Sequence, residues 1–201
     1  MNAIRSVTVY CSSSSAIPRI YTDAAAELGT AIASQKWALV YGGNRVGSMG
    51  VLADACRSSG GHVVGITPRL MVEKGVSDSD CHELVVTECM RERKRHLEHR
   101  GDAFITLPGG LGTFEEIFEI IVGKQLAYHS KPIVLLNIND YFTPLLAMIE
   151  NGIDQNFIKP RSRRLFHVSP TVSDAIEHIR SYERPVLADK WFEEGVVARV
   201  E

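Results

Sequence analysis

The chain carries no excess of charge of either sign. Its 22 Lys and Arg nearly balance 24 Asp and Glu, for a formal net charge of -2 over 201 residues. No global field therefore draws it to nucleic acid or to a membrane surface. Cysteine is scarce, and Cys11, Cys56, Cys81 and Cys89 stand without any C-x-x-C spacing. That pattern argues against a zinc site and a disulfide framework, and fits free thiols in a reducing cytoplasm. Long hydrophobic runs are missing as well. The strand-like run after Met1-Asn2-Ala3-Ile4-Arg5 lasts only about seven residues, too short for a signal-peptide core or a spanning helix. Neither G-x-G-x-x-G nor G-x-x-x-x-G-K-[ST] occurs, so the usual NAD and ATP fingerprints are lacking. Repeats, linkers and low-complexity segments are also absent. What remains, at 45% hydrophobic content, is a chain able to bury one good core, most simply as a single domain.

The most informative stretch is Leu107-Pro108-Gly109-Gly110-Leu111-Gly112-Thr113-Phe114-Glu115-Glu116. The apolar run Ala103 to Leu107 feeds into it, and Ile117, Ile120, Ile121 and Leu126 recur behind it at helical spacing. It reads as a strand, a glycine turn and a helix start. Glycines let backbone N–H groups approach a ligand closely. A helix N-terminus adds unpaired donors and the positive end of a dipole, which suits phosphate. Thr113 falls where an N-cap belongs, and Thr113-x-x-Glu116 also reads as a capping box, in which Glu116 merely returns to the cap.

Taken in order, the pattern predicts a strand at Ser6 to Cys11, the turn Ser12 to Ser15, and a helix from Pro18 to Gln35-Lys36. A second strand, Trp37 to Tyr41, meets the glycine turn Gly42 to Gly50 and a helix from Val51 to Ser59. A third strand, His62 to Ile66, precedes an irregular stretch carrying Asp78-Ser79-Asp80. Next come a strand at Glu83 to Thr87 and a charged helix at Met90 to Arg100. Beyond the central strand and helix lie a strand at Pro132 to Leu136 and a helix from Thr143 that Gly152 stops. A final pair comprises a strand at Leu165 to Val168 and a helix from Thr171 to Tyr182. Such alternation predicts an α/β fold: a single-domain, Rossmann-like, doubly wound parallel sheet with helices on both faces. The domain is expected to span residues 1–183, followed by a C-terminal tail at 184–201. Ligands of such folds bind beyond the carboxyl ends of the strands, where all three turns lie.

The helix start Met90-Arg91-Glu92-Arg93-Lys94-Arg95-His96 reads as a solvated charged face, or, given its place on that edge, as one that turns Arg93 and Lys94 inward. Combined with Pro108-Gly109-Gly110-x-Gly112-Thr113-x-x-Glu116, it resembles the Lonely Guy (LOG) family of cytokinin riboside 5'-monophosphate phosphoribohydrolases, whose members often carry the label "possible lysine decarboxylase". The resemblance covers roughly Ser6 to Tyr182. It includes Tyr41-Gly42-Gly43-x-x-x-Gly47-x-Met49-Gly50 and the turn Cys11-x-Ser13-Ser14. It implies Arg93 and Glu116 as the catalytic pair. Lys94, Gly109, Gly110, Leu111, Gly112 and Thr113 are implied as substrate and phosphate contacts, with Ser13, Gly43 and Met90 beside them. It also implies a nucleoside 5'-monophosphate substrate, no organic cofactor, and a homodimer or larger assembly with sites near the interface; that no metal is held and that the setting is cytoplasmic are expected from the cysteine pattern. The chain departs from the family pattern at Ser12 (usually Gly), Asn44 within the glycine triplet, Arg91 (commonly His), Val122 (often Thr) and Gly75 (usually acidic).

The implied reaction cleaves an N-glycosidic bond, releasing free base and ribose 5-phosphate. Glu116 is expected to stabilise an oxocarbenium-like transition state and activate water, while Arg93 orients the phosphoribosyl group. Alternatives are a general AMP or nucleotide nucleosidase and a non-catalytic phospholigand carrier resembling molybdenum-cofactor carriers. A pyridoxal-dependent decarboxylase would need a Schiff-base lysine, and no lysine stands in a recognisable setting for one. His129 is expected to complement a helix dipole, Trp37 to be core, and Met49 and Met90 to pack, with Met90 close enough to Arg93 to border a base pocket.

Overall fold

A computed structural model describes residues 4–183. Seven strands form one all-parallel sheet in the order β4-β3-β2-β1-β5-β6-β7. They are β1 (Ser6–Tyr10), β2 (Ala38–Tyr41), β3 (Val63–Pro68), β4 (Glu83–Thr87), β5 (Ala103–Thr106), β6 (Ile133–Leu136) and β7 (His167–Ser169). The helices are α1 (Arg19–Ser34), α2 (Gly47–Ser58), α3 (Arg69–Glu73), α4 (Met90–Arg100), α5 (Leu111–Gln125), α6 (Thr143–Asp154) and α7 (Val172–Arg180), with short 3-10 turns at Ile138–Asp140 and Pro160–Arg164.

The period of two along each strand divides the apolar residues between two cores. Val7, Val9, Leu39, Tyr41, Ile105, Val134 and Leu136 face α1, α2 and α7. Tyr10, Val40, Phe104, Ile133 and Leu135 face the other way, towards Leu97 of α4 and Ile117, Ile120 and Ile121 of α5. The doubly wound, Rossmann-like sheet is therefore present as expected. Trp37 is core, at the side of α1 and α2.

Local details differ from the sequence expectation. α2 starts at Gly47, four residues before Val51, because Val46 supplies the extended cap residue. α6 runs through Gly152 to Asp154. Gly152 is not a stop: a Cβ there would lie 2.8 Å from Ile158, so it is a packing glycine inside the helix. The irregular stretch contains the short α3, too brief to show helical periodicity. His129 places Nε2 2.9 Å from the Ile120 carbonyl, and burial holds its pKa below the ordinary imidazole value. It therefore serves α5 as a neutral hydrogen-bonding group rather than as a charge against the dipole. The expected tail, 184–201, lies outside the described residues. Among the described residues, no helix is long and apolar enough to cross a membrane.

Strand order reverses at β1, with β2, β3 and β4 to one side and β5, β6 and β7 to the other. The turns after β1 and β5 thus diverge at their carboxyl ends and open a crevice there. The candidate site lies in that crevice.

Candidate active site

The cleft has a volume of about 340 Å³. Its walls come from four turns at one edge: Cys11 to Ser14 after β1, Gly42 and Asn44 after β2, Pro68 and Met71 around α3, and Gly110 to Thr113 after β5. Val9, Tyr10, Met49, Met90, Arg93, Glu115 and Glu116 complete it.

Two glycines explain how α4 can press onto the strand ends. A Cβ on Gly42 would lie 2.3 Å from Arg93 Nη2 and 2.8 Å from Met49 Sδ, so only glycine admits the guanidinium. Gly43 has φ +69°, a left-handed conformation, and backs onto Ile66. In the space so left, Arg93 donates from Nε to the Ile66 carbonyl at 3.0 Å and from Nη2 to the Gly42 carbonyl at 3.4 Å. Its Nη1 donates to Glu116 Oε1 at 2.8 Å, and both side chains are about nine-tenths buried. Burial pushes the Glu116 carboxyl above its ordinary value, and the adjacent Arg93 charge offsets only part of that.

The capping-box expectation is corrected here. α5 begins at Leu111 with Gly110 as its N-cap, so Thr113 already lies inside the helix. The Thr113 hydroxyl instead donates to the Cys11 carbonyl at 3.2 Å, tying the β1 and β5 turns together across the crevice. No side chain caps α5, and Glu116 points to Arg93 rather than back to the turn. The first helical hydrogen bond runs from Phe114 N–H to the Gly110 carbonyl. The amides of Leu111, Gly112 and Thr113 precede it on the cleft wall. Gly110 has φ -90°, which any residue can adopt. A Cβ on Gly110 or Gly112 would meet nothing within 4 Å, so the protein's own packing does not require glycine at either place. Gly109 differs, since a Cβ there would strike Thr113.

The remaining expected residues separate into three groups. Ser13 and Met90 line the cleft. Gly43 and Gly109 lie behind its wall, as backbone that shapes the turns. Lys94 does not line it; its Nζ sits 2.7 Å from Glu115 and 2.9 Å from Glu119, forming a strut between α4 and α5. Sequence reasoning missed Pro68 and Met71, which share no motif with the rest, and named Asn44 only as a departure within the Gly42 to Gly50 turn. It also missed Tyr141, whose hydroxyl donates to the Gly109 carbonyl at 2.5 Å. Among the described residues no lysine lines the cleft, and those that do line it do not fit a pyridoxal Schiff base.

The family model described as "Possible lysine decarboxylase" matches residues 49–179. A probable cytokinin riboside 5'-monophosphate phosphoribohydrolase of Oryza sativa subsp. japonica, LOGL2, is 39% identical over 191 residues, covering 93% of this chain and 78% of its own. The cytokinin riboside 5'-monophosphate phosphoribohydrolase LOG5 of Arabidopsis thaliana is 38% identical over 193 residues, covering 96% and 82%. Among solved structures, the molybdenum cofactor binding protein of Rippkaea orientalis superposes with a TM-score of 0.69 at 23% identity, over 90% of this chain and 98% of that one. The molybdenum cofactor carrier protein of Chlamydomonas reinhardtii gives 0.66 at 23%, over 88% and 96%. These two share the fold. By identity and coverage of the sequence relatives, the chain belongs to the Lonely Guy (LOG) family, within the possible lysine decarboxylase group.

Proposed function

We propose that this protein is a phosphoribohydrolase that cleaves the N-glycosidic bond of a purine nucleoside 5'-monophosphate, giving free base and ribose 5-phosphate. The observation that carries the reading is the buried Arg93–Glu116 pair at 2.8 Å, on the wall of a cleft that also holds the open helix start of α5. In this reading the 5'-phosphate sits against the amides of Leu111, Gly112 and Thr113, in the room left by Gly110 and Gly112. Ser13 and its neighbours close the other side. The base lies towards Met49, Met71, Met90 and Pro68, an apolar end suited to a purine and its substituent.

Water then attacks C1' as the glycosidic bond breaks and its electron pair leaves with the base nitrogen. Glu116 accepts the proton from water, and its negative charge offsets the positive charge developing on the sugar. The released base takes its proton from solvent. Arg93 is permanently charged and so acts as an orienting group, not as an acid. Phosphate contacts far from C1' supply positioning energy for the reacting centre. Lys94 supports the site indirectly, by holding Glu115 and Glu119 of α5.

The reading includes a homodimer or larger assembly. α5 exposes Leu111, Phe118 and Val122 along one side, with Met90 of α4 also exposed, and a second copy would cover that apolar surface beside the cleft. A cytoplasmic setting agrees with four free cysteines. The test is a panel of AMP, isopentenyladenosine monophosphate and pyrimidine monophosphates, assayed for base and ribose 5-phosphate. Release from isopentenyladenosine monophosphate well above AMP supports a cytokinin role; equal rates support a general nucleotide nucleosidase. No release from any member overturns the hydrolase reading.

A further inference from the structure

Behind the cleft lies a second charged cluster that the proposed chemistry does not use. Asp78, in the loop between α3 and β4, is 2% exposed. Its Oδ2 accepts from the Tyr41 hydroxyl at 2.7 Å and from Arg57 Nη1 at 3.1 Å, and its Oδ1 accepts from Asp80 N–H at 3.0 Å. Cys81 Sγ lies 3.4 Å from the same Tyr41 hydroxyl. Burial alone would raise the Asp78 carboxyl, but these donors more than offset it and hold it below the usual carboxylate range. A carboxylate this enclosed is expensive to leave unpaired, and so many partners imply a position that is firmly set.

What Asp78 grips is the turn against which Arg93 packs. Its carboxylate holds Tyr41, the last residue of β2, and its backbone N–H donates to the Gly43 carbonyl at 2.8 Å. Gly42 lies between those two anchors, and its carbonyl accepts from Arg93. Two more bonds fasten the same loop to the same turn: Arg45 N–H to the Val76 carbonyl at 3.0 Å, which with the Asp78–Gly43 bond forms the antiparallel bridge between Asn44 and Ser77, and Arg45 Nη2 to Ser79 at 2.9 Å.

We propose that Asp78 is a positioning residue, which fixes Gly42 from both sides and thereby holds the Arg93 guanidinium against Glu116. It touches no substrate. Its consequence for turnover rests on the hydrolase reading, whereas the positioning itself does not. Loosening Asp78 lets Arg93 withdraw and leaves the Glu116 charge less compensated. Glu116 is faced by Arg93 and Lys94 from α4, Glu115 from its own helix, Tyr10 from β1 and Cys11 from the turn after it. Of these, Arg93 alone is reached through Gly42.

The experiment compares Asp78→Asn and Tyr41→Phe in the full chain, by NMR titration of the Glu116 carboxyl carbon and by kcat and KM against pH. Tyr41→Phe keeps the Asp78–Arg57 pair, so it decides the matter should Asp78→Asn fail to fold. Both variants are expected to raise the Glu116 midpoint by about half a unit or more, as expected when a neighbouring cation recedes. The acid limb of kcat/KM should move with it, and kcat should fall about tenfold, or about 1.4 kcal/mol, with KM nearly unchanged. Folded variants whose Glu116 titrates as in the parent would overturn the proposal, because a merely structural cluster leaves that midpoint in place. Should the parent itself release no base, the NMR titration still reads the coupling, and only the hydrolase reading falls.

Discussion

Lys124 offers a quantitative test of how the fold handles charge away from the cleft. It lies in the last turn of α5 and is 1% exposed. Among the described residues its ammonium makes no ion pair or hydrogen bond and sits 5.0 Å over the Tyr182 ring. Burial lowers its pKa from 10.5 to about 8. At pH 7 the folded chain therefore carries a strained charge, at a cost of about 3 kcal/mol for a shift of this size. Lys124→Met keeps an unbranched chain and removes the charge. Losing the cation–π contact takes back about 1 kcal/mol, so the net expectation is a gain of about 2 kcal/mol. For a domain of this size that corresponds to roughly 4–8 °C in Tm. The pH dependence supplies the sign. The folded pKa lies below the unfolded one, so the unfolded chain holds a proton that the folded chain releases between about pH 8 and 10.5. Stability of the parent should therefore rise relative to the variant across that window. Chemical denaturation of both proteins from pH 7 to 10.5 measures the difference. A destabilised Lys124→Met with a pH-independent gap from the parent would refute the reasoning.

Three further outcomes follow from the cleft. Gly42→Ala places a Cβ 2.3 Å from Arg93 Nη2, so base release should fall at least about a hundredfold while circular dichroism stays native; near-normal turnover would show that Arg93 need not sit there. Tyr141→Phe frees the Gly109 carbonyl and should weaken binding of ribose 5-phosphate by calorimetry about three- to tenfold, the worth of one hydrogen bond, with little change in kcat. Because Glu116 is held above the ordinary carboxylate value by burial, activity should decline, as pH falls, at a higher pH than an exposed glutamate would allow; kcat/KM from pH 4 to 8 reads this directly.

Most of the architecture was legible because the strands are short, apolar and separated by amphipathic helices. The sequence placed the two glycine turns correctly on one edge, since each follows a strand. Other features were set by tertiary contacts that no local pattern reports. Thr113 looked like a cap, yet the carbonyl of Cys11, 102 positions away, takes its hydroxyl, and Gly110 occupies the cap position. Gly152 looked like a stop, but the side chain of Ile158 fills the space that requires it. The place of the basic run of α4 on the ligand edge suggested that Arg93 and Lys94 turn inward, but nothing local showed that Arg93 meets Glu116, 23 positions ahead. Only family resemblance coupled those two. Lys94 was expected among the substrate and phosphate contacts, and two glutamates of α5 hold it. Asp78 sits in an aperiodic loop, where its burial was invisible.

The central claim is that the Glu116 carboxylate takes part in bond cleavage. Glu116→Gln preserves size and hydrogen-bonding capacity towards Arg93 while removing the charge. The decisive measurement is single-turnover base release by the parent and this variant, with ribose 5-phosphate binding measured on the same samples. The account predicts a rate loss of roughly a hundredfold or more with binding retained, since backbone amides hold the phosphate. A folded Glu116→Gln protein that binds ribose 5-phosphate and cleaves at the parental rate would contradict it.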